Sequence, residues 1–401
     1  MNLTRAQKIL IIIAILLTAV GIIFWLIFRR GVVPVAPPAT PPVAVIPGVG
    51  LPVAGPAVPV GSVPLSLEKP PEGPVVIPPA TQAVVVQQVT SAHLGGNGQL
   101  LFYKSSDGYF YRLSPGGTPE KISAESFKGA QTIVWSETKD QAVVTFPDGA
   151  NVLHDFSTGN RTVLPKTWRE FSFSPIGDQF AFKIINDNPD KQWLAKAKTD
   201  GSEIVVFQPL GRNADKVTVN WSPTGQIAGW FTQPKDLKRH EVFFLGFQGE
   251  NLRSMLIEGY NPLGKWSPSG GRLLYSVVDL GTSGYPPTLW IVEASGDNIG
   301  RGRLQLPVQT WADKCIFAGE TTVYCAVPRT LSSGAGFERE KAVGGDDLYR
   351  IDLTTGLKSP LAILGNRRHV AKDLFLSQDG QILYFVDKNN GNLIQVSTVL
   401  P

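Results

Sequence analysis

Cys315 and Cys325 are the only two cysteines of this 401-residue chain, and their spacing carries its most specific chemical signal. They flank the turn around Gly319-Glu320, with the apolar runs Cys315-Ile-Phe-Ala318 and Thr322-Val-Tyr-Cys-Ala-Val327 on either side. Two β-like runs joined by a short turn place the cysteines nearly opposite each other on one hairpin. In an oxidising compartment that arrangement closes a cross-strand disulfide; in a reducing one the pair packs as small apolar side chains. The four histidines, His93, His154, His240 and His369, are scattered along the sequence, and each is expected to be a surface or turn residue rather than a ligand. There is no Gly-x-Ser-x-Gly elbow, no His-Glu-x-x-His and no phosphate-cradling Gly loop. Ser105-Ser-Asp-Gly108 and Ser377-Gln-Asp-Gly380 lack the spacing and the Trp of a sialidase-type Asp box. No catalytic residue, metal site or cofactor is expected, and an enzyme is not the favoured reading.

Net charge narrows the partners. The whole chain is formally +4, but residues 81–401 hold 32 basic and 31 acidic residues. A nearly neutral domain has no electrostatic footprint for nucleic acid.

The elements that must position these residues announce themselves by repetition. Phe173-Ser174-Pro175-Ile176-Gly177, Trp221-Ser222-Pro223-Thr224-Gly225 and Trp266-Ser267-Pro268-Ser269-Gly270 each stand between two apolar runs. An aromatic, a Ser-Pro turn and a Gly between β-like runs is a hairpin signal. Weaker copies occur at His93-Leu94-Gly95, Trp135-Ser136, Phe317-Ala318-Gly319 and Leu376-Ser377-Gln378-Asp379-Gly380. After each anchor come a third strand, such as Thr288-Leu-Trp-Ile-Val292, a Gly turn and a more polar fourth strand. Seven units of four strands predict an all-β, seven-bladed β-propeller over 81–401. The last unit lacks its fourth strand, and the run 82–88 ahead of the first anchor is expected to supply it and close the ring. Trp135, Trp221, Trp266 and Trp290 read as core, whereas Trp193 and Trp311 are left as candidates for exposure.

These anchors and strands resemble the TolB-like and WD-like propeller repeats of bacterial envelope proteins. The resemblance covers about residues 82–397 and is specific for fold. The repeat phrase of that family usually has Asp where this chain has Ile176, Thr224 and Ser269; Asp379 keeps it. Some propellers of this kind precede a serine peptidase domain. Here the chain stops at Pro401, directly after the last blade, and no such domain is expected.

The N-terminus has a different composition. Residues 1–8 form a short tail, expected to be cytoplasmic. Ile9–Phe28 carries no charge, and at about 1.5 Å per residue it matches a bilayer core as a transmembrane helix. Residues 31–80 contain 15 of the 32 prolines, so 29–80 reads as a polyproline-like stalk. The expected topology is a single pass through the plasma (inner) membrane with the propeller on the extracytoplasmic side.

Loop length locates a partner site. The connections between second and third strands read as tight in blades 1, 2 and 7. They read as long in blades 3 to 6: 186–192, 233–240, 279–287 and 329–346. Enlarged loops on one face of a rigid scaffold suit binding. They carry Lys235, Lys238, Arg239, His240, Tyr285, Arg329, Phe337, Arg339 and Lys341, a mildly basic crescent. The function expected is protein interaction within the cell envelope. Glycan or cell-wall binding is the first alternative, and an enzyme with its site in the central channel is the second.

Overall fold

The computed structural model describes residues 83–114, 116–362 and 368–399. The expectations for the tail, the apolar run and the stalk lie outside the described residues. Among the described residues no helix is long and apolar enough to cross a membrane.

Residues 83–399 form seven four-stranded antiparallel sheets arranged as blades. Blades 1 to 6 cover 91–121, 132–164, 168–209, 217–258, 260–305 and 315–362. Blade 7 takes Ala371–Leu376, Ile382–Asp387 and Leu393–Ser397, with Ala83–Val86 as its outermost strand. That strand pairs antiparallel with the chain's last one, Val84 opposite Ile394 and Val86 opposite Leu393.

The Ser-Pro phrase forms hairpins for a local reason. The Gly225 amide donates to the Ser222 carbonyl at 2.9 Å, and the Gly270 amide to the Ser267 carbonyl at 2.8 Å. Proline presets the second position of such a turn, and the glycine closes it at φ +76° or +72°. The serine hydroxyl then accepts from the amide that opens the next strand, Ser222 from Ile227 at 3.1 Å and Ser267 from Arg272 at 3.2 Å. Hydroxyls replace the missing turn aspartate: Thr224 Oγ1 lies 2.8 Å from Ser222 Oγ. In blade 3 Asp178, two residues beyond Ile176, accepts from Ser174 Oγ at 2.7 Å.

The core is a ring of apolar layers, one between each pair of neighbouring blades. Trp230 and Phe244 of blade 4 meet Trp266 and Tyr275 of blade 5. Leu274 and Ile291 meet Phe317, Cys315 and Cys325 of blade 6. Val86 and Val89 complete the layer in which Phe375 and Leu393 of blade 7 meet Phe102 of blade 1. Trp311 is buried and Trp193 half-buried, so neither is an exposed binding aromatic. Trp290 is half-buried beneath the Arg303 guanidinium, 4.9 Å away, instead of fully in the core.

Candidate functional site

Strands alternate in direction within each blade, so second-to-third connections and the crossings between blades share one face. On that face the chain departs from the expected crescent in instructive ways. In blade 4 half of the run 233–240 is strand. Ile227–Pro234 and Arg239–Gly246 continue with Pro234 opposite His240, leaving only Lys235–Lys238 as a tight turn. In blade 6 the strands Thr322–Leu331 and Ala342–Asp352 shorten the loop to 332–341. The blade 5 loop stays long, between Val278 and Pro287. The blade 3 loop carries a short 3-10 turn, Pro189–Lys191.

Most of the basic residues proposed for the crescent carry a carboxylate partner. Arg239 binds Asp236 at 2.6 Å, and Lys235 reaches Glu241 at 3.4 Å. Arg329 forks onto Asp347 at 3.0 and 2.7 Å. Arg339 forks onto Asp313 at 2.6 and 2.9 Å and lies over the Trp311 ring. Lys341 binds Glu338 at 2.9 Å. His240 is buried, its ring 4.3 Å edge-on to Tyr260, and so cannot meet a partner. Of the lysines and arginines named for the crescent, Lys238 alone has no carboxylate partner at salt-bridge distance among the described residues. The crescent is therefore close to neutral.

Its exposed character is apolar. Leu237 at the tip of the blade 4 turn is 89% exposed, Tyr285 46% and Phe337 50%. Tyr285 and Phe337 meet edge-on with ring centroids 6.1 Å apart. The two loops that carry them are stitched together, the Gly334 amide donating to the Gly284 carbonyl at 2.7 Å and Gly336 to Tyr285 at 3.0 Å. Gly336 is required there, because a Cβ would fall 2.4 Å from the Tyr285 carbonyl oxygen. Tyr285 holds φ +49°, a conformation an aromatic residue adopts only where its surroundings enforce it. A cleft of about 590 Å³ separates Leu237 from Leu280 of blade 5, and one of about 390 Å³ lies between Leu263 and Phe337. Sequence reasoning named Tyr285 and Phe337 but missed Leu237, a lone apolar residue inside the charged run Lys235-Asp-Leu-Lys-Arg239.

The histidines are not surface residues. His154, His240 and His369 are buried. His154 packs against Phe127 and Phe156. His369 Nδ1 lies 2.8 Å from Asp387 Oδ2. His93, on the innermost strand of blade 1, stacks on Trp135 at 6.0 Å, and burial holds its imidazole below the ordinary value. Among the described residues no three histidine, cysteine, aspartate or glutamate side chains come close enough to share a metal ion.

Near the axis, blades 5 to 7 enclose a cavity of about 420 Å³. Lys314 is buried on its wall, with Nζ 2.7 and 2.6 Å from the two Asp346 oxygens. Asp346 also accepts from the Ala371 amide at 2.7 Å, which ties blade 6 to blade 7. Burial pushes the Lys314 ammonium down, and Asp346 opposes that shift. Lys265 reaches from blade 5 to the Cys315 carbonyl at 2.9 Å. Burial also holds Lys265 below the usual lysine value and Asp373 above the usual carboxylate value.

Cys315 and Cys325 stand directly opposite each other in the first two strands of blade 6 and form a disulfide.

No family model matches the chain, and no curated relative matches it. Solved structures do. Kuenenia stuttgartiensis hydrazine synthase aligns with a TM-score of 0.51 at 11% identity over 79% of this chain and 97% of that one. The β-propeller domain of Myceliophteria thermophila Cps50 (Swd1) gives 0.49 at 14% identity, over 79% and 99%. An oligogalacturonate lyase from Vibrio parahaemolyticus gives 0.46 at 11% identity, over 80% and 97%. At 11% identity the likeness to the hydrazine synthase chain speaks for the propeller fold alone.

Proposed function

We propose that this chain is a membrane-anchored propeller that docks an envelope protein through the rim of blades 4 to 6. The observation that carries the reading is the stitched pair of loops that holds Tyr285 and Phe337 against solvent, with Leu237 exposed on the adjoining blade 4. Exposed aromatics on a rigid frame lose little entropy on binding, and aromatic anchors dominate protein interfaces. The neutralised rim favours apolar docking over capture by charge.

Anchoring rests on Ile9–Phe28, and 29–80 would act as the spacer. A disulfide persists in an oxidising compartment, so the Cys315–Cys325 bond agrees with an extracytoplasmic propeller. The likeness of the repeat phrase to TolB-like and WD-like envelope propellers agrees as well.

The test is site-specific photo-crosslinking in envelope membranes. A crosslinker at position 237, 285 or 337 should capture one protein. A crosslinker at Ile176, 67% exposed on the opposite face, should not. Combining Tyr285→Ser with Phe337→Ser should abolish capture from position 237 without lowering the Tm. Equal capture from Ile176, or capture that survives the double variant, would reject the rim as the docking site.

A further inference from the structure

The axial cavity carries more positive charge than its own carboxylates can satisfy. Five cationic and three acidic side chains line it. Two of the acids are spent within the protein, Asp346 on Lys314 and Asp313 on Arg339. Lys265, Lys372 and Lys388 are then left with Asp373 and, from outside the lining, Glu137 acting on Lys265.

The hydrogen-bond count agrees. An ammonium has three N–H donors. Lys265 spends one on the Cys315 carbonyl, and Lys372 spends one on the Thr90 carbonyl. The remaining donors of both lysines have no acceptor among the described residues. Enclosing a cation whose donors are unspent is costly unless an anion completes the shell. Asp373 offsets part of this charge, since its carboxylate opposes the effect of burial on Lys265. Trp311, Ala342 and Leu374 supply apolar wall for a carbon frame. Small-ligand sites combine such walls with a few convergent polar groups, in cavities of this size.

We propose that this cavity binds a small organic oxyanion, a carboxylate or a phosphate ester of about monosaccharide size. Lys265 and Lys372 hold the charged group, and Lys388 guides it in from the exposed end. The reading is independent of protein docking at the rim.

Titration calorimetry of the full-length protein at fixed ionic strength tests it, with citrate, glucose 6-phosphate and glucose as probes. The expected result is saturable binding of at least one anion and none of glucose. Whichever anion binds identifies the class as carboxylate or phosphate ester. Lys265→Met should weaken binding on the order of tenfold, the loss of one charge-assisted contact. Asp373→Asn should tighten it by removing the competing carboxylate. If Lys265→Met does not fold, Lys388→Gln and Asp373→Asn carry the test, since one is exposed and the other nearly isosteric. No saturable anion binding, binding of glucose as tight as that of the anions, or affinities unmoved by Lys388→Gln and Asp373→Asn would overturn the proposal.

Discussion

Asp373 shows how a single residue can oppose the stability of the fold that holds it. It sits at φ +49° on the bulged innermost strand of blade 7, a conformation that aspartate and asparagine tolerate better than most residues. Burial raises its carboxyl above the unfolded value, against the weaker opposing pull of Lys372. A raised carboxyl binds its proton more tightly in the folded chain, so this residue costs stability as pH rises through the folded value. Below the unfolded value both states are protonated and the cost disappears. Asp373→Asn should therefore raise stability at pH 7 by on the order of 1 kcal/mol. The two melting curves should converge as pH falls towards the ordinary aspartate range. His93 and His154, held low by burial, destabilise both proteins alike below about pH 6.5 and cancel in the comparison. A stabilisation that persists unchanged at low pH would mean the gain comes from backbone conformation and not from charge.

At the scale of the element, the hairpin is the unit in which sequence and structure agree best. Its signals are local: Ser-Pro-x-Gly supplies turn geometry, and the flanking runs alternate toward a blade interface. Cys315 and Cys325 were legible for the same reason, since a short turn with β-rich flanks leaves them little choice but to pair. At a sequence separation of ten, the cross-link should contribute about 2–3 kcal/mol by restricting the unfolded chain. The double variant Cys315→Ala/Cys325→Ala should lose about that much in chemical denaturation, and the wild type should resist alkylation until it is both unfolded and reduced. Alkylation of the unfolded, unreduced protein would show that the bond is absent. What the sequence hid is long-range. The strands of blade 4 run on through Pro234 because alternate residues His240, Val242 and Phe244 are buried, a pattern that the polar run Gln233-Pro-Lys-Asp236 masks. The histidines were misread because their surroundings come from elsewhere: Phe127 is 27 residues from His154, and Asp387 is 18 from His369. The carboxylates that neutralise the rim arrive in the same way, Asp313 lying 26 residues before Arg339.

For the molecule as a whole, a propeller has no single centre whose packing could hold it together. Each apolar layer needs a blade on both sides, so a gap anywhere exposes two faces. Blade 7 is where the risk concentrates, because it is assembled from both ends of the propeller's sequence. Ala83–Val86 contributes backbone pairing to Leu393–Ser397, buries Val86, and leads into Val89, which is 2% exposed and whose amide donates to the Gly391 carbonyl at 2.7 Å. A protein beginning at Val89 keeps the residue that plugs the layer between blades 7 and 1 but loses the strand that covers blade 7. Burial of one valine and a few ladder hydrogen bonds amounts to roughly 3 kcal/mol or more. Its melting temperature should thus fall about 5 °C or more below that of a protein beginning at Pro79. Amide exchange should rise first at 393–397, whose outer edge would be open to water and to strands of other molecules. Equal melting temperatures with unchanged protection there would mean that the ring is held by the layers between blades and not by its closing strand.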